Sequence, residues 1–365
     1  MVMIRFSANS FRNLANLDIP LHNKNNVFWG GNGQGKTNLL EGIHFLTTLR
    51  SFRGRSHQGI INYDKKRAQL ELEFNNLTGP HKVNIVTERG GKTVFYDDKL
   101  VGKSSYVSRN FLPVVISGEA IFFFKNFPIY KRSFFDRYMC FAYDDYLTEY
   151  KDYTRITKQK NLTLRNKRTK LDFDLWNKQL SKKVALISKW RGEFVESINK
   201  RIKEEAQEFF KEGENLKLIY KPSIAVDYKK DTAQVEKEIM GFLAKNADKE
   251  RKRERVLYGS HLDNYQLSFY KGEQLSDFSV GQYKVAFCVL QFSVTKQLMD
   301  EGEGEVFFLL DDMFSDLDQQ TQNKLLKKIE NSPQQKFITS NTKEQVRLGK
   351  EARFFEIDKG EIVST

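Results

Sequence analysis

Hydrophobic and polar residues follow two rhythms along this chain. Near the start, Ile4-Arg5-Phe6-Ser7-Ala8-Asn9 and Leu17-Asp18-Ile19-Pro20-Leu21 read as strands on either side of Phe11-Arg12-Asn13-Leu14. A β-prone run ends at Val27-Phe28-Trp29, and from Asn38 to about Leu49 the apolar spacing becomes helical. Residues 68–101 alternate with period two in Gln69-Leu70-Glu71-Leu72-Glu73-Phe74, Lys82-Val83-Asn84-Ile85-Val86 and Val94-Phe95-Tyr96. Turn residues at Asn75-Asn76 and Gly90-Gly91 separate these runs, which predicts an antiparallel sheet. Phe111-Leu112-Pro113-Val114-Val115-Ile116 reads as a fully apolar strand.

From about Ile121 the period changes to that of a helix. Trp176, Leu180, Val184, Ile187, Trp190, Phe194, Ile198, Ile202, Ala206 and Phe209 form one sustained stripe. It predicts a long helix packed on one side against a partner, taken as a helix through Phe134, Tyr138, Phe141, Tyr146, Tyr150 and Ile156. The connection between them, residues 158–170, holds no acidic residue, so the pair reads as an arm with a positive tip. A strand pair at 216–220 and 224–226 follows, then a charged helix from Thr232 ending in Lys249-Glu250-Arg251-Lys252-Arg253-Glu254-Arg255. The mixed signs of that run mark a solvated face. Beyond Gly259 the alternating texture returns, with strands at 265–270, 305–310 and 336–340 and helices near 282–299 and 319–329. The expected division is a head formed by 1–120 and 257–365, with a helical arm at 121–256.

The chemistry concentrates where the β-run meets the first helix. Gly30-Gly31-Asn32-Gly33-Gln34-Gly35-Lys36-Thr37 is a glycine loop between strand and helix, closed by Lys and Thr. This is the context a phosphate-binding loop requires. Glycines let backbone N–H groups turn onto phosphate oxygens, and the helix N-terminus adds partial positive charge. Lys36 is expected to reach the β- and γ-phosphates of ATP, and Thr37 to hold Mg²⁺. Far downstream, the apolar Val306-Phe307-Phe308-Leu309-Leu310 ends in Asp311-Asp312. Burial of a strand explains the apolar run but not two adjacent acids at its exit. Asp311 suits the Mg²⁺ position and Asp312 the polarisation of attacking water.

Composition narrows the partners. The 365 residues carry a formal charge of +13, with 39% hydrophobic and 13% aromatic residues. A chain this basic and this rich in Phe is globular and suits a polyanion, nucleic acid before membrane. Cys140 and Cys288 show no metal spacing, which fits a reduced compartment. No apolar run is long enough to span a bilayer, so a cytoplasmic, nucleoid-associated protein without membrane attachment is expected.

Ser279-Val280-Gly281-Gln282 opens an apolar helix between the glycine loop and the Asp pair. In that order it resembles the signature motif of ABC-type ATPases. The resemblance implies that Ser279, Gly281 and Gln282 serve the nucleotide of a second copy, so ATP is buried in a homodimer. The match sharpens to the RecF branch, which is related to SMC heads. It is carried by Phe11-Arg12-Asn13-Leu14, Gly31–Glu41 with Asn38, Leu49-Arg50-Ser51-Phe52-Arg53, Lys131-Arg132-Ser133-Phe134-Phe135-Asp136, Lys158-Gln159-Lys160-Asn161, Gly259-Ser260-His261-Leu262-Asp263 and Ser315-Asp316-Leu317-Asp318.

The fold implied is α/β, an ABC-type P-loop ATPase head with an antiparallel β subdomain and an inserted helical arm. By the same resemblance Arg12 and Asn13 touch the nucleotide. Thr339 stands either as a γ-phosphate sensor or as a strand-end residue satisfying backbone. The family pattern is altered at Gly118, Ser260, Leu262 and Asn264, and Lys160 replaces an Arg. The implied function is a slow ATPase switch of recombinational repair that clamps duplex DNA at gaps or junctions. RecR is the implied partner and RecA loading the outcome. Lys158, Lys160, Arg165, Lys167, Arg168 and Lys170 are the expected DNA contacts. Other readings of the same motifs are a transporter motor, a nuclease head, or an arm that docks protein only.

Overall fold

Alternation at the N terminus folds as a hairpin of β1 (Val2–Phe11) and β2 (Leu14–Pro20), with Met3, Phe6, Ala8, Phe11, Leu14, Leu17 and Ile19 turned inward. The chain continues through β3 (Asn25–Trp29), α1 (Lys36–Thr48), β4 (Arg67–Asn76), β5 (Gly79–Glu88), β6 (Gly91–Tyr96), β7 (Lys99–Leu100), β8 (Leu112–Ser117) and α2 (Gly118–Asn126). Next come α3 (Pro128–Ala142), α4 (Tyr146–Arg165), α5 (Lys170–Ala206), β9 (Glu214–Lys221), α6 (Thr232–Lys245) and α7 (Ala247–Arg253). The remainder is β10 (Asn264–Lys271), β11 (Gln274–Ser276), α8 (Val280–Asp300), β12 (Val306–Asp311), α9 (Gln319–Asn331), β13 (Gln335–Ser340), β14 (Ala352–Asp358) and β15 (Glu361–Ser364). This computed structural model describes residues 1–53, 57–102, 111–166, 170–212, 214–300, 306–346, 348 and 351–364. Met1–Phe122 with Gly304–Thr365 form one compact unit, and Phe123–Glu303 form another.

The first unit is two sheets with a helix between them. One sheet is antiparallel throughout, in the order β2-β1-β4-β5-β6-β7; the other runs β15-β14-β3-β13-β12-β8 and is parallel except for β15. Leu39, Leu40, Ile43, Phe45 and Leu46 of α1 are fully buried, in one core with Phe6, Leu70 and Leu72 of the first sheet and Phe28, Leu309 and Phe337 of the second. Burying each such side chain is worth about 1.5–3 kcal/mol, so α1 cannot leave its place without losing both sheets. Gly42 lets the helix approach closely: a Cβ there would lie 2.9 Å from the Phe6 ring. The expected α/β class with an antiparallel subdomain holds.

The second unit is organised by α5, which at 37 residues runs for about 55 Å. Leu180, Val184, Ile187, Phe194, Ile198, Ile202 and Ala206 of its apolar stripe are buried, Trp176 and Trp190 are half-buried, and Phe209 lies past the helix end. Yet Phe173, Asn177, Ser181, Ala185, Ser188, Arg191 and Val195 are buried too. The helix therefore packs on several sides, against α4, α6, α8 and β9. The partner expected as one helix is two. Tyr143 adopts an extended conformation that ends α3, and α4 begins after Asp144-Asp145, acids that suit a helix N-terminus. Residues 224–226 do not form a strand, because Ser223 binds Asp263 and Gly259 and turns the chain away. The charged helix from Thr232 breaks at Asn246 into α6 and α7. Residues 257–300 fold with this unit, since β10 pairs with β9 along its length and α8 packs on α5.

At the centre of this unit lies a charge cluster. The Arg191 guanidinium, 0% exposed, donates to Asp263 at 2.6 Å, Asp136 at 2.7 Å and the Ser260 carbonyl at 2.6 Å. Tyr146 and Tyr220 donate to the same two carboxylates, each at 2.6 Å. Arg191→Ala strands two carboxylates in the interior, and breaking such a buried cluster costs about 3–5 kcal/mol. The expected result is a fall of roughly 6–20 °C in the melting temperature followed by circular dichroism; a shift under 2 °C contradicts this role for Arg191.

Candidate functional site

The glycine loop is fixed by its neighbours before any ligand is considered. Gly30 has φ +151, and a Cβ there would collide with the carbonyl oxygen of Ile357 in the adjacent strand β14. Gln34 is clamped by the β14–β15 turn: its side-chain oxygen accepts from Lys359 N at 2.6 Å and its carbonyl from Gly360 N at 2.8 Å. Asn13 donates to the Gly33 carbonyl at 3.4 Å and accepts from Asn38 at 2.7 Å. Gly31, Asn32 and Gly33 form the outer curve, and Gly35 (φ +113) opens α1. Lys36 donates to the Gly30 and Gly31 carbonyls at 2.6 and 2.7 Å and to Asn341 at 3.2 Å. Burial lowers its pKa, opposed by the charges of Asp311 and Asp312.

The carboxylates arrive from two strands away. β13 lies between β3 and β12, and its register sets Thr339 beside Asp311. Thr37 donates to both Asp311 oxygens, at 2.9 and 3.0 Å, and Thr339 donates to one of them at 2.7 Å. Thr339 also accepts from the Asp312 N–H at 3.0 Å. Desolvation raises the Asp311 pKa, and the two threonine bonds oppose that rise. Asp312 turns into the left-handed region at φ +45 and is exposed. Thr339 thus supports both acids, and satisfies one backbone N–H in doing so.

Arg12 is directed elsewhere than the loop. It donates to fully buried Glu41 of α1 at 2.6 and 3.0 Å and to the Gly59 carbonyl. Ser51 donates to Glu41 at 2.5 Å, and Arg53 donates to Asn38 at 3.0 Å while lying 3.8 Å from Glu41. Periodicity gave no sign of this cluster. The one signal in the sequence is a charged residue, Glu41, within a helix whose other central positions are largely apolar.

In the second unit, Ser279 and Gln282 form a reciprocal cap at the start of α8. Ser279 N–H donates to the Gln282 side chain at 3.0 Å, and Gln282 N–H donates to the Ser279 hydroxyl at 3.2 Å. This is a capping box. Ser279 is exposed and Val280 is 76% exposed, with Gly281 between them and Gln282.

Of the expected DNA contacts, Lys158 and Arg165 are exposed. Lys160 is a correction. It is 0% exposed, its ammonium lies 2.6 Å from fully buried Glu250 and 4.9 Å from the Phe173 ring, and it cannot touch DNA from there. Lys167 and Arg168 lie outside the described residues, as does the side chain of Lys170. Withdrawal of Glu250 changes the run after Asp248, where Lys249, Lys252, Arg253 and Arg255 are exposed. What reads as a mixed-sign face in sequence is a predominantly basic one in the fold.

Thr37 and Asp311 offer hard oxygen donors of the kind Mg²⁺ takes. No group of three His, Cys, Asp or Glu able to hold a metal occurs among the described residues. That fits an ion bound through few protein groups together with substrate phosphates. A phosphate loop, a supported carboxylate pair and α1 enclosed between two sheets define a P-loop ATPase head of ABC type. The chain belongs to the RecF/RecN/SMC N-terminal domain family, whose model matches residues 2–361. It is similar to the DNA replication and repair protein RecF of Citrifermentans bemidjiense, at 28% identity over all of both chains. The RecF of Geotalea daltonii is 27% identical over 97% of each. Among solved structures, the recombination mediator RecF with ATP superposes with TM-score 0.87 at 24% identity, covering 99% of this chain and 96% of that one. An Smc head bound to the winged-helix domain of ScpA gives 0.58 at 13% identity, covering 100% and 98%. The chain is an ABC-type ATPase, and the expected RecF likeness holds over its whole length. No helix among the described residues is long and apolar enough to cross a membrane.

Because Asp311 titrates higher in the folded chain, its stabilising contribution is full below the ordinary carboxylate range and is lost as pH rises through the raised value. At pH 8 the buried charge is a net cost. Asp311→Asn keeps an acceptor for Thr37 and Thr339, so without nucleotide and in EDTA it is expected to melt about 1–4 °C above the parent at pH 8. The difference should shrink toward pH 4, near the ordinary Asp value of about 3.9. A lower melting temperature at pH 8 contradicts the cost assigned to that charge.

Proposed function

We infer that this protein is an ATP-driven switch of DNA repair and recombination, in which nucleotide joins two copies and hydrolysis parts them. The observation that carries the reading is the division of labour between the units. Lys36, Thr37, Asp311, Asp312 and Thr339 cluster in the first unit, whereas the capped, exposed Ser279-Val280-Gly281-Gln282 end belongs to the second. An exposed hydroxyl with free backbone N–H groups at a helix start is suited to a phosphate. In this reading it meets the γ-phosphate held by the other copy, and ATP becomes the adhesive.

When bound, Mg²⁺ at Thr37 and Asp311 would neutralise phosphate charge. Lys36 exchanges its carbonyl partners for phosphate oxygens, a stronger charge-assisted pairing. Asp312 orients the attacking water, with its backbone held by Thr339. Arg12 and Asn13 act on the nucleotide through α1 and the loop. In this reading the working head is the first unit together with residues 257–300, which fold with the second unit and carry the signature, and residues 121–256 supply the arm. Lys158 and Arg165, joined by Lys249, Lys252, Arg253 and Arg255, supply a phosphate-contacting surface for duplex DNA at gaps or junctions. RecR is the proposed protein partner, RecA loading the outcome, and the nucleoid the place of action.

Mass measured by sedimentation with ATP tests the switch. Lys36→Ala is expected to stay monomeric with ATP, and Asp312→Asn to hold a dimer whose turnover falls at least 100-fold, the scale of lost water activation. ATP dimers of the Lys36 variant, or rapid hydrolysis by the Asp312 variant, would falsify these roles. Duplex affinity should rise with ATP and fall by ten- to a thousandfold between 50 and 200 mM salt, roughly as loss of several phosphate contacts requires. Flat salt dependence contradicts the basic surface.

A further inference from the structure

A second constellation of polar side chains sits in the first unit, at the tip of its antiparallel sheet. Asn75 there pairs with Val2 at the start of β1, whereas Asn13, which touches the glycine loop, follows the other end of that strand. β4 and β5 turn over Leu77-Thr78, and β6 and β7 turn over Asp97-Asp98, both at positive φ. These two turns and β5 bring three side chains into line. Thr78 Oγ1 lies 2.7 Å from His81 Nε2, and His81 Nδ1 lies 2.7 Å from Asp97 Oδ2. The backbone of Lys82 fixes the acid: its N–H donates to Asp97 Oδ1 at 2.9 Å, and its carbonyl accepts from the Asp97 N–H at 2.9 Å. The imidazole packs against the rings of Phe74 and Tyr96, whose centroids lie 5.6 and 5.5 Å away.

The proton positions follow from the partners. A carboxylate only accepts, so Nδ1 carries its proton toward Asp97, and Nε2 of the neutral ring is left to accept from the Thr78 hydroxyl. Asn76 Oδ1 lies 2.7 Å from the same hydroxyl and accepts from the Thr78 N–H at 2.8 Å, so it takes the hydroxyl when the ring is protonated. A hydroxyl, a base and an acid that orients the base define an activated nucleophile. Thr78 is exposed, with fully exposed Leu77 beside it as an apolar contact. The nearest amine is kept out of competition: Lys82 Nζ lies 2.9 Å from Asp98, a bond that raises its pKa and holds it protonated. We propose that Thr78 is an acyl-acceptor site, taking the acyl group of a small activated donor such as an acyl phosphate or an aryl ester. Thr78 Oγ1 forms the new bond to the carbonyl carbon as its proton passes to His81 Nε2. The bond from that carbon to the leaving oxygen breaks, its electron pair departs with the oxygen, and the imidazolium, steadied by Asp97, returns the proton to it. So open a tip holds no donor in place, which leaves the rate to general-base activation, about 10²–10⁴-fold. The product is one ester per chain.

The test incubates the full chain with p-nitrophenyl acetate, follows nitrophenolate release and locates the acetyl group by peptide mass spectrometry. One acetyl per chain is expected on Thr78, released by hydroxylamine as an ester is and an amide is not. Thr78→Val, at an exposed turn, should abolish that label while ATP hydrolysis stays at the parent level. His81→Phe keeps a ring against Phe74 and Tyr96 but removes the base, and should slow labelling of Thr78 by about 100-fold. Asp97→Asn can turn an N–H toward Nδ1 and move the ring proton to Nε2, the wrong tautomer, and should slow it by roughly tenfold or more. Equal labelling rates in the parent and the His81→Phe protein overturn the proposal. So does a label that resists hydroxylamine, which assigns it to an amine such as Lys82. A parent that gains no acetyl on Thr78 overturns it as well, and leaves the three side chains as a brace between two turns.

Discussion

The site rests on where one carboxylate leaves water. Asp311 ends β12 half-buried, where a carboxylate without donors would carry a desolvation cost. Thr37 and Thr339 supply those donors. The first begins the helix after the glycine loop, and the second lies on the strand between β3 and β12. Three segments distant in sequence are thereby fixed to one another by a single group. Strand order makes this possible, since β13 must sit between β3 and β12 for Thr339 to reach the acid.

A second buried acid does similar work one turn further along the loop helix. Glu41 gathers Arg12 from the end of the first hairpin and Ser51 from the segment after α1. The antiparallel sheet is thus tied to the same helix that presents Lys36 and Thr37. This accounts for residue blocks that look unrelated along the chain. The Phe11–Leu14 and Leu49–Arg53 blocks meet at a residue of the loop's own helix, and Asn13 reaches the loop itself. In this structure Arg12 is spent on Glu41 and the Gly59 carbonyl, and so braces α1.

Much of this was legible in the sequence because period and position carry it. Alternation in β4–β6 and the helical stripe of α5 survive in the fold, since each follows from one face being buried. The loop and the Asp pair were legible because backbone requirements and charge placement are local. What was not legible is pairing between distant charges. Lys160 sits in a stretch without acids, yet its partner Glu250 lies ninety residues on and both vanish from the surface. The same pairing conceals the basic character of the Lys249–Arg255 run. Arg191 gave no signal either, because an arginine between apolar stripe positions reads as a solvated face until Asp136 and Asp263 arrive. The break at Tyr143 was missed because aromatic spacing continues across it while the backbone does not.

The electrostatics of the loop favour a metal–nucleotide pair over either of its parts. Burial disfavours the charged forms of both Lys36 and Asp311, pushing one pKa down and the other up. Asp311 and Asp312 offset the Lys36 shift only in part, and the groups that hydrogen-bond the two charges are uncharged: carbonyls for the lysine, hydroxyls for the acid. An anionic phosphate relieves the first, and a divalent cation relieves the second. The two reliefs come together only with the metal–nucleotide pair, because either ion alone leaves its own charge in the low-dielectric interior. Free phosphate or free cation should therefore gain little, and the complex should gain more than their sum. Cooperation of this kind would tie the closed state of the proposed switch to the metal–nucleotide pair and not to either ion alone.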